Sequence, residues 1–474
     1  MKTLYERNAP QKVGTRLRPL TVLNEKFPEI FKRKTLIDIP HISEPELIAY
    51  FAECARETIG IIDLFPLGSC TMKHNPKQNL RYQLLPGFAD IHPLMPEGSV
   101  QGALELQFRL LDMLASLSGL AAGTLEPPAG ASSEFGACLM IKKYFRERGE
   151  GGRIKVLMPD VAHGTNPASA AMAGFDVVSL PTDNGDIDLV ELKKVLDKTV
   201  ACFMITYPST LGIPESHLEE IVAMVHEVGA FVYMDGANFN ALVGRWRPGS
   251  HGIDLMHMNF HKTFATPHGG GGPGAGFIGC TKLFEPYLPM PVVVKKGGVY
   301  QFDFDRPHSI GKLHTYFGNF GIDVQAYAYL RSNGNDIHLV ADTTNANAQY
   351  AKKLLLDEKF VIIGAERALH EFVLDLKPIL DATGVTLEDF CKRILDFGFH
   401  APTMGFPVHT GLLIETPESA TRESIEELVR VLKTIRDECF TDPAVVKSAP
   451  HKTSVGRVDN ARGDRDLLQW SKTP

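Results

Sequence analysis

A single lysine in front of a glycine-rich stretch most constrains what this chain can fold into. Lys262 lies between an apolar run that ends at Phe260 and a loop with six glycines among residues 269–276. Glycine allows a ligand or another backbone to approach closely. A lysine that forms a Schiff base needs such a setting, because its amine must be held against a carbonyl and partly desolvated. A surface lysine before a flexible loop has the same pattern, so the stretch alone leaves both interpretations open.

Short apolar runs alternate with helical patterns before this lysine, which predicts a mostly parallel sheet covered by helices on both faces. The predicted strands are 154–158, 176–180, 202–205, 231–234 and 255–260. Capping residues predict where helices begin: Ser43 with Glu46, Asn166, Asp188, and Ser216 with Glu219.

Polar residues follow four of these strands, at the sheet edge where parallel α/β proteins bind their ligands. They are His163, Thr206, Asp235 with Ala237 and Asn238, and His261 with Lys262. Upstream, the small residues Gly130, Ala131 and Ser132 begin a helix and leave its first amides free, which suits a phosphate. A capped helix with no ligand explains that segment equally well.

Together these residues predict a site for pyridoxal 5'-phosphate. Lys262 would bind the aldehyde, and Asp235 would keep the ring nitrogen protonated so that the ring acts as an electron sink. His163 would stack on the ring, Ala237 would lie beneath it, and Thr206 would donate to the ring hydroxyl. Alone, His163 or Asp235 is more often structural; in this order before a lysine they favour the cofactor. The remaining cofactor-binding candidates are Asn238, His261, Gly130, Ala131 and Ser132.

Composition limits the class of protein and its partners. The chain has 474 residues, 44% of them hydrophobic and 22% charged, which is typical of a globular protein with several domains. The formal charge of −7 without a basic run makes nucleic acid an unexpected partner. Seven widely spaced cysteines indicate reduced thiols in the cytoplasm and no zinc site. No signal peptide or membrane anchor is predicted.

Three regions are expected along the chain: an N-terminal arm and helix region (1–95), a large cofactor-binding domain (96–330) and a small C-terminal α/β domain (331–474). The arm, residues 1 to about 40, is polar and rich in proline. In the loop that follows, Lys73 and His74 offer positive charge to an anion, although an ordinary connecting loop is the favoured interpretation.

Several longer motifs resemble those of the glycine decarboxylase family, the P-protein of the glycine cleavage system, and in particular subunit 2 of its two-subunit bacterial form. The matching segments are 67–73, 163–167, 235–238, 261–264 with its glycine loop, 317–321, 400–404 and 449–451. The chain departs from the family pattern at Ser132-Ser133, in the predicted phosphate loop, and at Thr416-Pro417, whose usual order is reversed.

The resemblance implies an aminotransferase-like fold of type I and a reaction. Glycine would be decarboxylated on the cofactor, and its aminomethyl group would pass to the lipoyl arm of the H-protein. A separate P-protein subunit 1 would be a partner. Another fold type I enzyme, such as an aldolase or amino-acid decarboxylase, also fits the Lys262 and Asp235 pattern. A non-catalytic subunit is a further alternative, which the retained lysine disfavours.

Overall fold

The computed structural model describes residues 2–9, 28–31, 33–35, 39–57, 64–268 and 274–465. Most of the predicted N-terminal arm therefore lies outside the described residues. Within these residues, four α-helices precede the first strand: α1 (Glu44–Arg56), α2 (Lys77–Gln83), α3 (Pro86–Ala89) and α4 (Gln101–Ser118). The predicted capping box of Ser43 and Glu46 is confirmed, since Ser43 N donates to Glu46 Oε2 across 3.2 Å.

Nine strands and five α-helices lie in the described residues between 122 and 280. The strands are β1 (Ala122–Thr124), β2 (Lys155–Pro159), β3 (Asp176–Leu180), β4 (Thr182–Asp183), β5 (Asp186–Ile187), β6 (Val200–Thr206), β7 (Phe231–Asp235), β8 (Leu255–Asn259) and β9 (Gly276–Cys280). The helices are α5 (Gly130–Glu147), α6 (Thr165–Met172), α7 (Leu189–Val195), α8 (Leu218–Glu227) and α9 (Phe260–Thr263).

Seven of these strands form one sheet in the order β1-β9-β8-β7-β6-β2-β3. Strands β8, β7, β6, β2 and β3 are mutually parallel, and β9 runs against its neighbours β1 and β8. Both faces are buried: on β6, Phe203 and Ile205 join the core beneath α4 and α8, whereas Cys202 and Met204 join the core beneath α5 and α6. The predicted doubly covered, mostly parallel sheet is confirmed, and its strand ends meet at one edge.

A second, antiparallel sheet follows in the C-terminal part. The elements after β9 are β10 (Val292–Lys296), β11 (Val299–Asp303), α10 (Phe320–Asn333), α11 (His338–Asp357), β12 (Val361–Ile363), β13 (Glu371–Asp375), α12 (Lys377–Thr383), α13 (Leu387–Leu395), β14 (Thr403–Met404), β15 (Gly411–Glu415), α14 (Arg422–Thr441), α15 (Pro443–Lys447) and α16 (Asn460–Arg465). Strands β12-β13-β15-β14 form the sheet, which has its own apolar core with α11, α13 and α14.

Three local predictions are wrong. Ser216 and Glu219 form no capping box: α8 begins at Leu218 after His217, without a side-chain cap. The Ser216 hydroxyl instead accepts a hydrogen bond from Arg367, a distant partner that local sequence does not reveal. Strand β8 ends at Asn259, because Phe260 already begins the single turn of α9. Asn166 does not cap α6, which begins at Thr165 after Gly164, because its side chain donates to Glu134 and Asp235 instead.

Among the described helices, none combines the length and the apolar character that crossing a membrane requires.

Candidate active site

Lys262 lies on the single turn of α9, directly after the carboxyl end of β8. The rings of Phe260 and Phe264 are fully buried beneath this turn and meet edge to face, with centroids 5.6 Å apart. They anchor the turn and leave the lysine half-buried above it. Within the described part of the chain, the Lys262 ammonium makes no hydrogen bond and no ion pair. A lysine held rigidly but without a partner is available to a carbonyl compound.

Asp235 ends the neighbouring strand β7 and is 1% exposed. Its Oδ1 accepts the Ala237 amide at 2.8 Å, and its Oδ2 accepts Asn166 Nδ2 at 3.0 Å and the Thr206 hydroxyl at 3.3 Å. Burial raises the pKa of this carboxyl, but His257, Lys262 and these donors together outweigh burial and lower it. The carboxylate is therefore ionised inside the protein and suits a cationic partner.

Glu134, on the second turn of α5, is a second buried carboxyl beside Asp235. Asn166 joins the two, because its Nδ2 also donates to Glu134 Oε2 at 3.0 Å, and the Thr165 hydroxyl donates to Oε1 at 3.1 Å. Burial, and then the charge of Asp235, raises the pKa of Glu134 to about 8. One carboxyl is thus kept neutral and the other ionised.

A histidine and a tyrosine support Asp235 from behind. His257 Nε2 lies 3.4 Å from Asp235 Oδ1 and 2.9 Å from Asn259 Oδ1, and its Nδ1 lies 2.7 Å from the Tyr233 hydroxyl. Burial raises the pKa of Tyr233 well above its usual value and lowers that of His257. The phenol therefore keeps its proton and donates to Nδ1, which turns the Nε2–H toward Asn259 and Asp235.

The other predicted ring contacts lie around this edge. His163 is half-buried, with Nδ1 2.9 Å from the Thr165 hydroxyl, and burial followed by the Lys262 charge lowers its pKa. Its ring meets that of Phe406, which comes from the C-terminal part, edge to face at 5.9 Å. Ala237 is 7% exposed. The hydroxyl of Thr206 is directed at Asp235 rather than into open space, so it stabilises the carboxylate.

The predicted phosphate seat is the start of α5. Ala129 occupies the N-cap without a side-chain cap, Ala131 is exposed and Ser132 is half-buried, so the first amides of the helix remain accessible. Gly130 is required here, because an added Cβ would lie 2.0 Å from Asn259 Nδ2. These residues fit a phosphate group bound through backbone amides.

Two further predicted cofactor contacts, His261 and Asn238, are less direct. Burial, and then the charge of Lys262, lowers the pKa of His261 to about 3, so this side chain is neutral and has a single N–H to donate. Asn238 is fully buried, and its Nδ2 donates to Pro208 O, Ser209 O and Glu371 Oε1. Asn238 therefore connects the large sheet to the C-terminal sheet and shapes the site from behind.

The loop that contains Lys73 contacts both the α9 turn and the C-terminal part of the chain, and its lysine is not free to bind an anionic ligand. The Lys73 ammonium is buried and donates to Glu418 Oε1 at 2.7 Å, Asn240 Oδ1 at 2.8 Å and the carbonyl of Thr263 at 3.0 Å. Its charge is used to hold the α9 turn that carries Lys262. The anion interpretation is wrong for Lys73.

Sequence reasoning missed Glu134, Asn166, Tyr233 and His257 as parts of the site. A signal was present for Glu134, which lies one helical turn after Gly130 and hence on the same face of α5. A signal was also present for His257, a polar residue in a strand that is otherwise apolar up to its last position. Their mutual distances depend on the sheet order, which local patterns do not give.

Comparisons with known proteins show the family to which the chain belongs. Residues 341–453 match the family described as "Glycine dehydrogenase, C-terminal domain", and residues 133–271 match "Aminotransferase class-V". The chain is similar to the probable glycine dehydrogenase (decarboxylating) subunit 2 of Pyrococcus horikoshii, at 44% identity over 98% of this chain and 95% of that protein. The protein of the same name from Thermotoga maritima is 43% identical over 99% of both chains.

Solved structures support the fold. The crystal structure of glycine decarboxylase (P-protein) of the glycine cleavage system in inhibitor-bound form superposes with a TM-score of 0.73, at 21% identity, over 86% of this chain and 93% of that chain. The Lactobacillus brevis glutamate decarboxylase superposes with a TM-score of 0.67, at 14% identity, over 87% and 97%. The predicted aminotransferase-like fold of type I is confirmed. Because relatives at 43–44% identity match almost its whole length, the chain belongs to the glycine dehydrogenase (decarboxylating) subunit 2 family.

Proposed function

We propose that this chain decarboxylates glycine with pyridoxal 5'-phosphate and passes the aminomethyl group to the lipoyl arm of the H-protein. It acts as one subunit of the glycine cleavage system P-protein, together with subunit 1. The names of its relatives, glycine dehydrogenase (decarboxylating) subunit 2, support both the reaction and a partner subunit. When bound, the cofactor supplies an electron sink for the charge that develops as carbon dioxide leaves.

Four side chains orient the cofactor in this proposal. Lys262 holds the aldehyde carbon through its amine, and Asp235 accepts a hydrogen bond from the protonated ring nitrogen. His163 packs on the outer face of the ring and Ala237 lies below the inner face. Thr206 acts through Asp235, because its hydroxyl donates to that carboxylate.

The phosphate is held at the start of α5 by the amides of Gly130, Ala131 and Ser132, where the helix dipole favours negative charge. The serines in this loop leave such backbone contacts intact. His261 adds one N–H at most, since its pKa of about 3 keeps it neutral.

One observation carries the proposal: an ionised, buried carboxylate, Asp235, lies at the same sheet edge as Lys262, a lysine without a partner among the described residues. The ionised carboxylate suits a cationic ring nitrogen, and the half-buried amine suits an aldehyde. A cationic ring with an aldehyde satisfies both at once.

The proposal includes the division of the chain. Residues 96–330 would form the large domain, residues 331–474 the small domain, and residues 1–95 the region ahead of them; two sheets with separate apolar cores support this division. It also includes a cytoplasmic location, whose reducing conditions suit buried thiols such as Cys138 and Cys202.

The test is a reconstitution with the full chain, the cofactor, the partner subunit and lipoylated H-protein. We expect carboxyl-labelled glycine to release labelled carbon dioxide only when all components are present. H-protein without its lipoyl group is the control, and it should support no transfer. Release without any lipoyl acceptor would point instead to a simple amino-acid decarboxylase. Failure to take up cofactor would point to a non-catalytic subunit.

A further inference from the structure

Two glutamates lie directly opposite each other on the central strands of the C-terminal sheet. Glu371 begins β13 and pairs in register with Glu415, the last residue of β15, and both are completely buried. Like charges at directly opposed positions are destabilising, and a buried carboxylate is costly unless it is compensated. The pair therefore needs a physical reason that the sheet alone does not supply.

Both carboxyls accept hydrogen bonds from the backbone of one loop in the candidate active site. Ser69 N donates to Glu371 Oε2 at 2.6 Å, and Thr71 N donates to Glu415 Oε2 at 2.9 Å. Asn238 Nδ2 donates to Glu371 Oε1 at 2.9 Å. Ser69 and Thr71 have φ angles of 64° and 45°, in the left-handed region that residues other than glycine seldom adopt. The carboxyl pair compensates for this strained backbone.

Burial and the mutual repulsion of the two carboxylates favour a bound proton on the pair, whereas the positive charges that face it oppose one. Lys262 and Lys73 approach from the large sheet, whereas His370 is neutral because burial, and then Lys262, lowers its pKa to about 3. Burial raises the pKa of Glu415 to about 7, and burial with the charge of Glu415 raises that of Glu371 well above its usual value. At neutral pH the two carboxyls therefore hold at least one proton between them.

Cys70 lies between Ser69 and Thr71, the two residues whose amides donate to the glutamates. It is half-buried, and the charges of Lys262 and of both glutamates act on its thiol. Burial raises the pKa of Cys70, Lys262 opposes this rise, and Glu415 and Glu371 add to it. The sulfur is thus a thiol in the loop whose Lys73 contacts the α9 turn that carries Lys262.

We propose that Glu371 and Glu415 form a proton-sharing pair of positioning residues, which holds the Ser69–Thr71 backbone, positions Cys70 and keeps its sulfur protonated. One consequence rests on the proposed function, in which a lipoyl disulfide enters this site. A Cys70 thiolate would attack one lipoyl sulfur, form a mixed disulfide and release the other sulfur as a thiolate, whereas a thiol does not attack. The pair thereby protects the site from a dead-end exchange with its own substrate.

The test measures alkylation of Cys70 by iodoacetamide in the full, cofactor-loaded chain, with the modified peptides quantified by mass spectrometry between about pH 7 and pH 10. The double variant Glu371→Gln/Glu415→Gln keeps side-chain length but removes the negative charge. We expect Cys70 to be alkylated about tenfold faster at neutral pH, which corresponds to a thiol pKa lower by one unit, with no difference at the highest pH. Cys54, a half-buried cysteine on α1, is the internal control and should not change.

If Glu371 and Glu415 only held the loop in place, the pH dependence of Cys70 alkylation would be different. Glu371→Asp keeps the charge but shortens the reach to Ser69, so a loosened loop should raise the Cys70 rate by one factor at every pH. If the Cys70 alkylation rate in the double Gln variant rose by one constant factor at every pH, or did not change at all, the proposal would be overturned. If the double variant does not fold, Glu415→Gln alone should shift the pH profile in the same direction.

A measurement of the metal bound to the purified chain is a further part of the test. One ligand atom each of His370, Glu371 and Glu415 lies within 4.8 Å of the others, a set that a divalent cation could use instead of a proton. A stoichiometric metal that is lost in the double variant would overturn proton sharing. Alkylation needs no glycine, partner subunit or H-protein, so this test stands even if the reconstitution fails. Oxidised lipoamide should then form the mixed disulfide at Cys70 about threefold faster in the double variant, because the thiolate fraction rises while the nucleophilicity of the thiolate falls.

Discussion

Replacing Asn166 with alanine is predicted to weaken cofactor binding by about 10- to 150-fold. Asn166 Nδ2 donates to Asp235 Oδ2 and to Glu134 Oε2, at 3.0 Å each. A hydrogen bond to a charged group contributes about 1.5–3 kcal/mol, and the loss of the one to Asp235 disfavours the ionised form that the cofactor ring needs. At 1.4 kcal/mol per factor of ten, that loss gives the stated range.

The assay is a titration of the unloaded chain with pyridoxal 5'-phosphate, followed by absorbance at several pH values. Asn347→Ala is the matched control, because Asn347 Nδ2 also donates twice, to Pro417 O at 2.9 Å and Ala420 O at 3.3 Å, but to neutral carbonyls. Both variants should lose stability, and only the Asn166 variant should lose cofactor affinity. Equal affinity in the Asn166 variant and the parent chain would refute the assigned role of this amide.

Three further predictions test other parts of the site. Lys73→Met should lower the free energy of unfolding by about 3–5 kcal/mol because it breaks a buried ion pair. Lys155→Met, at an exposed pair, should cost at most about 1 kcal/mol in the same denaturant titration, and equal losses would contradict the burial argument. The pKa of Glu134 is raised to about 8, so the stability it contributes is complete below about pH 4.5 and is lost as the pH rises through 8. Glu134→Gln should therefore flatten the fall in unfolding free energy between about pH 5 and 8, and an unchanged slope would exclude this ionisation. Gly130→Ala should weaken binding of pyridoxal 5'-phosphate at least about tenfold but leave unphosphorylated pyridoxal unaffected, whereas Gly102→Ala, whose added Cβ meets nothing within 4 Å, should change neither.

Much of the large sheet could be predicted from sequence, because its central strands are short apolar runs buried on both faces and its helices separate them. The same order places Asp235 and Lys262 at the ends of neighbouring parallel strands, so their convergence followed from strand order and chain direction. The phosphate seat followed from small residues at a helix start. These features depend on local sequence pattern and on the rule that parallel α/β sheets bind ligands beyond the carboxyl ends of their strands.

The support of the site could not be predicted in this way. The bridge through Asn166 joins residues that are 32 and 69 positions away. The contact of Lys73 with Glu418 spans 345 positions, and the contact of Ser69 with Glu371 spans 302. Such contacts form only when the C-terminal sheet packs over the large sheet, and a loop read alone carries no sign of them.

The most direct test is borohydride reduction of the cofactor-loaded chain, followed by peptide mapping of the trapped adduct. A pyridoxyl group on Lys262, with loss of the visible absorbance, is the predicted result. In Lys262→Ala the adduct should be absent, whereas Lys282→Ala, at an exposed lysine, should retain it. An adduct on another lysine, or none after cofactor is supplied, would contradict the assignment of this sheet edge as the cofactor site.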